Sequence, residues 1–417
     1  MEYGLIGEKL TYSFSKIIHE QIADYTYDLC PLSKEDFKNF MEKREFKAIN
    51  VTIPYKQDVI PYLYEMDENS KNIGAVNTIV NRDGKLYGYN TDFYGFLYQV
   101  QHNNVEIEGK KVIVLGNGGA SKAIIAVLKY LKAREIHIVY YKENPNTITY
   151  YECYEKHSDA DVIVNTTPLG MLSKENKSPV DLDKFNNLSA VLDIVYNPLK
   201  TKLILWAEKK GIKAVNGLEM LVAQAKYAVE YFIDTKIDNS IIDEISKSIT
   251  FDKSNLVLIG MPSAGKTTIG KICAKNLNKE FIDLDDAIVK KIGMEISEYF
   301  ALYGEEKFRE VEKEVCAEYG QHNGMVIATG GGAVKNEINM ENLKANGVVA
   351  FIERDIESLS VDPSRPLSKS IDILKVMYKE RLPLYKKYSD ISVYNNGIDE
   401  CAKNLIAEYK NNILRKI

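Results

Sequence analysis

One segment constrains the fold of this chain more than any other, the stretch NLVLIGMPSAGKTTIGK at residues 255–271. An apolar run predicts a buried strand, and the pattern GxxxxGKT follows it directly, ahead of a helical pattern. In such units backbone N–H groups surround phosphate oxygens, Lys266 reaches the terminal phosphates and Thr267 can ligate Mg²⁺. The segment therefore predicts a nucleotide-phosphate site, with a plain glycine turn as the alternative. The predicted nucleotide-binding residues are Ser263, Ala264, Gly265, Lys266, Thr267 and Thr268.

This segment begins well past the middle of a 417-residue chain, so other domains precede it. At about 100 to 200 residues per domain, the length predicts two to four domains. Short apolar runs alternate with amphipathic stretches, which is typical of α/β proteins. Residues 76–90 predict a β-hairpin around NRDG, and the polar residues 246–255 are predicted to be the main linker. The predicted strands are EYGLIG, KAINVTI, KKVIVLG, EIHIVYY, DVIVNTT, AVLDIVY, LVLIG, MVIATGG and GVVAFIE.

The charge pattern disfavours some classes of partner. The formal net charge is -5, from 54 basic and 59 acidic residues mixed along the chain, which gives neither a basic stripe for nucleic acid nor a polybasic patch for membranes. No apolar run approaches the roughly 18 residues of a membrane span, and the N-terminus lacks the apolar core of a signal peptide. The five cysteines form no Cys-x-x-Cys pair, which argues against a zinc site or a disulfide framework. We therefore expect a cytoplasmic protein that acts on small molecules.

Charged positions downstream of the phosphate loop point to a second substrate. FIDLDD places Asp283 and Asp285 at the end of an apolar run, one for a metal–water shell and one for a substrate hydroxyl. GEEKFREVEKEV places Arg309 and Glu312 on one helix face. ATGGGAV ends a strand in three glycines, which let a ligand approach the backbone closely. Taken singly, the acidic strand end is more often a solvated turn or cap, and the Arg–Glu spacing a surface ion pair.

Two later arginines complete a recognisable pattern, Arg365 in DPSRPLS and Arg381 in KERLPLY. With them, residues 255 to about 410 resemble shikimate kinase: a phosphate loop, Asp-x-Asp, Phe-Arg-x-x-Glu, Gly-Gly-Gly, Arg-Pro-Leu and a further arginine occur in that order. The resemblance implies phosphorylation of shikimate with ATP and Mg²⁺, where Asp285 orients the attacking hydroxyl and Arg365 neutralises the transferring phosphoryl group. The segment around Arg365 is poorer in arginine than the family pattern. The implied shikimate-binding residues are Asp285, Arg309, Gly331 and Arg381, and the implied Mg²⁺ ligands are Thr267 and Asp283.

A glycine-rich turn also follows a predicted strand in the first half of the chain. GKKVIVLGNGGASKAIIAVLKYL contains, in order, a strand, a turn and a helix, with glycines at Gly116, Gly118 and Gly119. Such a turn can hold the pyrophosphate of a dinucleotide at the helix N-terminus, but Ser121 replaces the third glycine, which weakens the signature. The strand EIHIVYY that follows the helix strengthens the dinucleotide interpretation.

Several polar residues upstream carry little information singly, because each can be a helix cap, a surface lysine or a turn residue. They are two serines before a helical pattern, a lysine at a strand end, an asparagine at the start of the hairpin segment and an aspartate at its end: Ser13, Ser15, Lys56, Asn77 and Asp92. DADVIVNTTPLGM, DIVYNPLKT and NGLEMLVAQA follow in this order. Together these features make the chain resemble shikimate dehydrogenase from its first residue to about residue 245.

The second resemblance implies NADPH-dependent reduction of 3-dehydroshikimate to shikimate. Lys56 would give a proton to the carbonyl oxygen as hydride reaches the carbon, and Asp92 would orient the ammonium, which makes the two residues the catalytic pair. The implied substrate-binding residues are Ser13, Ser15, Thr52, Asn77, Tyr196 and Gln224. The implied cofactor-binding residues are Gly116, Gly118, Gly119, Ala120, Lys142, Ile194 and Gly217.

Cofactor choice is the clearest departure from this family. Its members commonly have Asn-Arg-Thr after the second strand of the nucleotide domain, where the arginine binds the 2′-phosphate of NADP. Here Tyr140, Tyr141 and Lys142 occupy those positions, followed by Glu143. Lys142 can meet a phosphate as a point charge, whereas Glu143 opposes a phosphate or accepts a ribose hydroxyl. The resemblance favours NADP, and NAD stays open.

Together the two resemblances predict a bifunctional α/β enzyme of the shikimate pathway. We expect a substrate-binding domain at residues 1–98 and 219–247 and a Rossmann-type dinucleotide domain at residues 99–218. A P-loop domain like the nucleoside-monophosphate kinases, with a parallel sheet, is expected at residues 254–417. The alternatives are a non-catalytic ligand-binding regulator and a quinate-type dehydrogenase joined to another small-molecule kinase. The sequence predicts no oligomeric state.

Overall fold

The chain folds into two compact units in the computed structural model, which describes residues 1–10, 13–142, 144–171, 177–359 and 371–415. The first unit comprises Met1–Asn197 and Thr201–Ser246, and the second comprises Pro198–Lys200 and Lys247–Ile417. The described strands form three sheets, two in the first unit and one in the second. Among the described helices, none is both long enough and apolar enough to cross a membrane.

A mixed six-stranded sheet opens the first unit. Its strands are β1 (Tyr3–Gly7), β2 (Tyr27–Pro31), β3 (Ala48–Val51), β4 (Glu65–Met66), β5 (Thr78–Arg82) and β6 (Lys85–Tyr89). They are arranged in the order β2-β1-β3-β5-β6-β4. The antiparallel pair β5–β6 confirms the predicted hairpin, and its turn residues Asp83 and Gly84 have φ of 52° and 81°. Both angles are left-handed, as a two-residue type I′ turn requires.

The second sheet of this unit is parallel throughout. Its strands are β7 (Lys111–Leu115), β8 (Glu135–Val139), β9 (Val162–Asn165), β10 (Ala190–Asp193) and β11 (Lys213–Val215). The order is β11-β10-β9-β7-β8, so the direction of strand addition changes between β7 and β9. This is a Rossmann-type arrangement, in which ligands bind at the carboxyl ends of the strands beside such a switch point.

Eight α-helices of the described chain lie wholly within the first unit. They are α1 (Ser15–Ile22), α2 (Lys34–Lys43), α3 (Glu68–Ile73), α4 (Thr91–His102), α5 (Gly119–Tyr130), α6 (Tyr150–Lys156), α7 (Lys202–Lys209) and α8 (Leu218–Ile233). α4 and α8 approach closely at Gly95, where a Cβ would lie 2.7 Å from the carbonyl oxygen of Met220 and 2.9 Å from Cβ of Gln224. Glycine at this position therefore lets the start of α4 lie beside Gln224.

The second unit contains one parallel five-stranded sheet. Its strands are β12 (Asn255–Ile259), β13 (Glu280–Asp283), β14 (Met325–Ala328), β15 (Gly347–Glu353) and β16 (Ile391–Tyr394), in the order β13-β14-β12-β15-β16. The helices are α9 (Ser240–Lys253), which begins in the first unit, α10 (Lys266–Leu277), α11 (Leu284–Ile292), α12 (Ile296–Gly320), α13 (Glu337–Lys344), α14 (Ile371–Tyr388) and α15 (Ile398–Arg415). The central strand β12 is buried throughout and ends at the phosphate loop.

The segment predicted as the main linker, residues 246–255, is largely helical. α9 continues to Lys253, and the boundary between the two units falls inside this helix. Ile245 and Ile249 are buried four residues apart, so one face of α9 packs against protein while its polar residues cover the opposite face. Polarity alone did not separate an exposed helix face from a connecting loop.

Five strands are absent from the predicted strands, and all five lie at sheet edges. β2 and β4 flank the first sheet, β11 is at one edge of the second, and β13 and β16 flank the third. Edge strands have one neighbour and more exposed side chains, so they lack the continuous apolar runs of the central strands. The nine strands that were predicted are all present.

Candidate active sites

The centre of the first site is a lysine–carboxylate pair. Lys56 follows β3, and its Nζ donates to Oδ2 of Asp92 at 2.6 Å. Asp92 belongs to the first turn of α4, and its Oδ1 accepts from Nδ2 of Asn77 at 2.9 Å. The Lys56 and Asp92 side chains are only 15% and 11% exposed. The three residues predicted from distant motifs thus form one hydrogen-bonded group with a partly open face.

A second layer of polar contacts fixes the Asn77 amide. Its Oδ1 accepts from the backbone N–H of Thr91 at 2.7 Å and from Oγ1 of Thr78 at 3.0 Å. With the oxygen engaged there, Nδ2 has to face Asp92. Asn50 supports the same region, because its Nδ2 donates to the Asn77 carbonyl at 3.2 Å. Thr78, Thr91 and Asn50 were missed in the sequence, where the only signal was their position beside predicted site residues.

The remaining predicted substrate residues of this unit form smaller groups. Oγ of Ser13 donates to Oγ of Ser15 at 2.9 Å and accepts from its backbone N–H at 3.2 Å. Phe14 stands between the two serines in the sequence, and its ring centre lies 5.2 Å from that of Tyr196. Burial raises the pKa of the Tyr196 phenol. Gln224 reaches the group around Lys56 through Thr91, whose Oγ1 donates to Oε1 of Gln224 at 3.4 Å.

Thr52 lies at the carboxyl end of β3. Its backbone N–H donates to the carbonyl of Ile6 at 2.9 Å. A Cβ on Gly7 would come within 2.5 Å of the Thr52 methyl group, so this side chain packs directly on the end of β1. Thr52 therefore lies at the end of β3, the same strand that leads to Lys56.

The glycine turn after β7 has the geometry of an anion site. Gly116 has φ of 103°, and a Cβ there would lie 2.7 Å from Oγ1 of Thr166, so this position requires glycine. Gly118 precedes α5 without a side-chain cap, and a Cβ on it would meet nothing within 4 Å. A Cβ on Gly119 would lie 3.7 Å from Cδ of Lys56. The open helix N-terminus that begins with Gly119 and Ala120 fits a pyrophosphate and adjoins Lys56.

Two further predicted cofactor residues meet each other. A Cβ on Gly217 would lie 2.1 Å from the carbonyl oxygen of Ile194, so the backbones touch and any side chain at Gly217 would clash. Ser121, which replaces the third glycine of the turn, is buried, and its Oγ has no hydrogen-bond partner among the described residues. Burying a hydroxyl without a hydrogen-bond partner costs free energy, and the glycine of the usual dinucleotide pattern would avoid that cost.

The segment that departs from the family pattern forms a small aromatic and basic cluster. The rings of Tyr140 and Tyr141 are 4.6 Å apart, and Nζ of Lys142 lies 5.3 Å from the centre of the Tyr141 ring. Hydrogen bonding to Tyr140, together with the nearby charge of Lys142, lowers the pKa of Tyr141. Lys142 thus lies beside Tyr141 just past the end of β8, while Glu143 lies outside the described residues.

The second unit carries the phosphate loop in the expected strand–loop–helix setting. Ser263 and Gly265 have φ of 63° and 99°. Nζ of Lys266 is buried inside the loop and donates to the carbonyls of Gly260 and Met261 at 3.0 and 2.9 Å. Thr268 is exposed in the first turn of α10. The loop therefore presents a lysine and a helix N-terminus to one point, which suits a nucleotide phosphate.

A hydroxyl and a carboxylate meet beside this loop. Oγ1 of Thr267 donates to Oδ2 of Asp283 at 2.7 Å, and the backbone N–H of Asp285 donates to Oδ1 of Asp283 at 3.0 Å. These are oxygen donors of the kind that Mg²⁺ uses near substrate phosphates, so the pair fits the predicted metal role.

Two residues that were not predicted brace the phosphate loop from outside. Nη1 of Arg354, just after β15, donates to the Ser263 carbonyl at 3.3 Å. Nδ2 of Asn395, just after β16, donates to the Ala264 carbonyl at 2.8 Å. Neither belongs to a recognisable motif, because each acts on a loop far away in sequence.

The predicted acceptor residues converge on the glycine loop after β14. A Cβ on Gly330 would lie 2.7 Å from Oδ1 of Asp285, and a Cβ on Gly332 would lie 2.6 Å from Nη1 of Arg309. The carbonyl of Gly331 accepts from the hydroxyl of Tyr385 at 2.6 Å. The glycines therefore let a carboxylate and a guanidinium lie directly against the backbone.

Three charged side chains near this loop are largely withdrawn from water. Nη1 of Arg309 donates to Oε2 of Glu312 at 2.8 Å, and burial raises the pKa of Glu312 although the Arg309 charge acts in the opposite direction. Arg381 is 4% exposed, and its Nε has no hydrogen-bond acceptor among the described residues. A buried donor of this kind is costly unless a ligand or water accepts from it. Arg365 lies in residues 360–370, outside the described part of the chain.

Comparison with known proteins matches each unit to a different family. The shikimate kinase family model matches residues 262–411, and the shikimate dehydrogenase substrate binding domain matches residues 5–79. The chain is 40% identical over 254 residues to a shikimate dehydrogenase (NADP(+)) from Clostridium beijerinckii, covering 57% of this chain and 94% of that protein.

Solved structures give the same result for the first unit. Shikimate dehydrogenase 1 from Peptoclostridium difficile is 35% identical with a TM-score of 0.55, covering 60% of this chain and 98% of that one. A chorismate mutase/shikimate 5-dehydrogenase fusion protein from Clostridium acetobutylicum is 38% identical with a TM-score of 0.56, covering 59% of this chain and 96% of that one.

Proposed function

The chain belongs to the shikimate dehydrogenase family over its N-terminal part and carries a shikimate kinase domain in its C-terminal part, and we propose which residues perform each reaction. It is a bifunctional enzyme of the shikimate pathway, which reduces 3-dehydroshikimate with NADPH and phosphorylates shikimate with ATP and Mg²⁺. The Lys56–Asp92 pair beside the glycine turn is the observation that carries the assignment of the reductase residues. A non-catalytic regulator would not need such a pair.

In the reductase reaction, a bound nicotinamide supplies hydride to the carbonyl carbon. Lys56 is the general acid, and its ammonium gives a proton to the carbonyl oxygen as negative charge develops there. Asp92 orients that ammonium through a hydrogen bond to one carboxylate oxygen. Asn77 donates to the other oxygen, which fixes the orientation of the Asp92 side chain. The close approach of Gly119 to Lys56 supports this arrangement, because the glycine turn is where the dinucleotide would bind.

The substrate of the reductase is held through its carboxylate and hydroxyl groups. We assign the carboxylate to the hydroxyls of Ser13 and Ser15, which lie within hydrogen-bonding distance of each other and can both donate to one anion. We assign contacts with the substrate ring to the remaining predicted residues, which lie around Lys56 or beside the serines: Thr52, Asn77, Tyr196 and Gln224. Gly116, Gly118, Gly119, Ala120, Lys142, Ile194 and Gly217 are assigned to the dinucleotide.

In the kinase reaction, Asp285 accepts a hydrogen bond from the attacking hydroxyl and orients it toward the terminal phosphate. Lys266 binds the phosphates of ATP, and Mg²⁺, held by Thr267 and Asp283, supplies charge neutralisation there. Arg309 and Arg381 are assigned to the shikimate carboxylate, with Gly331 at the same loop. Arg365 keeps its proposed role in neutralising the transferring phosphoryl group.

The organisation of the chain follows from these assignments. We assign residues 1–98 and 219–247 to binding the dehydrogenase substrate, residues 99–218 to the dinucleotide and residues 254–417 to the kinase. Small molecules are the expected partners, and the balanced charge of the chain supports neither a nucleic-acid nor a membrane partner. We place the enzyme in the cytoplasm, because its five scattered, unpaired cysteines suit a reducing compartment.

Two separate assays test the proposed function. With 3-dehydroshikimate alone as substrate, the chain should oxidise NADPH, which is followed by its absorbance. With shikimate, ATP and Mg²⁺, it should release ADP and form shikimate 3-phosphate. Failure of either assay with folded protein would remove that half of the assignment and leave the other half standing.

A further inference from the structure

The guanidinium of Arg309 is already bound by two carboxylates. Its Nε and Nη2 donate to Oε1 of Glu305 at 3.2 and 2.9 Å, and its Nη1 donates to Oε2 of Glu312 at 2.8 Å. Glu312 is buried, whereas the Glu305 side chain is 46% exposed. Glu305 can therefore leave the guanidinium for water at small cost, while Glu312 cannot.

Glu305 lies in the field of three cations near the proposed shikimate site. Hydrogen bonding to Arg309 is the main cause that lowers its pKa, and the charges of Arg309, Lys335 and Arg381 act in the same direction. Arg309 and Arg381 are the two residues assigned to the carboxylate of the substrate. The Glu305 carboxylate thus occupies a place where a carboxylate of the substrate would be attracted as well.

The backbone beside Glu305 is suited to movement. α12 is interrupted at Gly304, which has φ of 81° and ψ of 173° in the middle of an otherwise helical stretch. A Cβ on Gly304 would meet nothing within 4 Å, so there is open space on that side of the backbone. Glu305 is the first residue after the interruption, where glycine permits the chain to change direction at little cost.

We propose that Glu305 is a built-in competitor for the carboxylate of shikimate, which binds Arg309 in the free enzyme and gives way when the substrate enters. The inference rests on the proposed kinase function and deepens it. Exchange of one carboxylate for another leaves the charge around Arg309 unchanged. A neutral ring polyol makes a poorer exchange, because it would replace the Glu305 carboxylate with an uncharged group and leave the guanidinium with the Glu312 carboxylate. Glu305 therefore sets the affinity for shikimate.

The test compares Glu305→Gln with Glu306→Gln in the full-length chain. Glu306 is the exposed neighbour and undergoes the same chemical change. At saturating ATP, Glu305→Gln should lower the KM for shikimate about fivefold, because the substrate no longer competes with a charged side chain. Glu306→Gln should keep the KM of the wild type. The KM for ATP serves as the control for an intact kinase fold in both variants.

A second measurement uses shikimate methyl ester, which lacks the negative charge, as a competing ligand. Glu305→Gln should widen the preference for the acid over the ester about fivefold, since only the acid benefits from the released guanidinium. A raised KM in Glu305→Gln would mean that Glu305 positions Arg309, and an unchanged KM would make the contact a surface ion pair. Either result would overturn the inference about Glu305 and leave the kinase assignment in place. A wild-type chain that does not phosphorylate shikimate overturns the kinase assignment and the inference with it.

Discussion

Nζ of Lys56 lies 2.6 Å from Oδ2 of Asp92, although the two residues are 36 positions apart in the chain. Both side chains are largely shielded from water, and Asn77 occupies the other oxygen of the carboxylate. The ammonium therefore has a fixed direction, which a general acid needs in order to protonate a defined oxygen atom. The contact joins the turn after β3 to the first turn of α4, so the fold itself creates the pair.

Lys56→Ala should lower the turnover of 3-dehydroshikimate reduction by about 10²-fold or more, because the developing negative charge loses its proton donor. The KM for 3-dehydroshikimate should change much less. Steady-state rates of NADPH oxidation give both values. Lys71→Ala, at an exposed lysine paired with Glu68, is the matched control and should behave as the wild type. A large loss of affinity with intact turnover would contradict the acid role.

Asp285→Asn should abolish most kinase turnover while ATP binding stays nearly intact, since the amide no longer accepts the proton of the attacking hydroxyl but leaves the phosphate loop unchanged. ADP release measures turnover, and calorimetry measures ATP affinity. Asp286→Asn changes the exposed neighbour in the same way and should have little effect. Unchanged turnover in Asp285→Asn would remove this residue from the mechanism.

Lys142→Ala tests the proposed contact with the 2′-phosphate of NADP. The variant should raise the KM for NADPH about fivefold and leave the KM for NADH nearly unchanged, because only NADPH carries the additional phosphate. Parallel measurements with the two cofactors provide the internal control. Equal changes for both cofactors would show that Lys142 contacts the shared part of the dinucleotide or acts on the fold.

Stability of the first unit should depend on the ionisation of Asp193. Burial raises the pKa of this carboxyl from 3.8 to about 6, although Thr201, Asn165 and the N–H of Val195 donate to it. Because the folded pKa is the higher one, the folded state holds the proton more tightly. The protonated carboxyl therefore adds to the free energy of unfolding. This stabilisation is fully present below about pH 3.8 and is lost as the pH rises through about 6, which lowers the free energy of unfolding by up to about 3 kcal/mol.

Thermal unfolding of the wild type and of Asp193→Asn across this range measures the effect. Asparagine keeps an acceptor for Asn165 and Val195 but does not ionise. The melting temperature of the wild type should therefore fall relative to the variant between about pH 4 and pH 6. If the difference in melting temperature between the two proteins does not vary with pH, the ionisation of Asp193 does not affect the stability of the first unit.

The central strands and the glycine turns could be predicted from the sequence because they depend on local patterns. Continuous apolar runs such as LVLIG specify buried parallel strands, and GxxxxGKT specifies a turn whose backbone angles only certain residues tolerate. Two of the positions that need glycine for close approach, Gly116 and Gly217, were recognised through the resemblance to shikimate dehydrogenase, and the structure gives the steric reason.

Contacts between distant segments could not be predicted in the same way. Thr91 and Asn50 hold Asn77 from different elements, and nothing in their local sequence distinguishes them from ordinary polar residues. Glu305 is four residues from Arg309 on a helical pattern, a spacing that usually gives a surface ion pair. Its relation to the proposed shikimate site becomes visible only once Lys335 and Arg381 are placed around it.

The most direct test of two reactions in one chain incubates the intact protein with 3-dehydroshikimate, NADPH, ATP and Mg²⁺ and follows all products by mass spectrometry. Shikimate should appear first and shikimate 3-phosphate after it. Lys266→Ala should stop at shikimate, and Lys56→Ala should form neither product yet still phosphorylate added shikimate. A wild-type chain that completes one step and never the other would contradict the account.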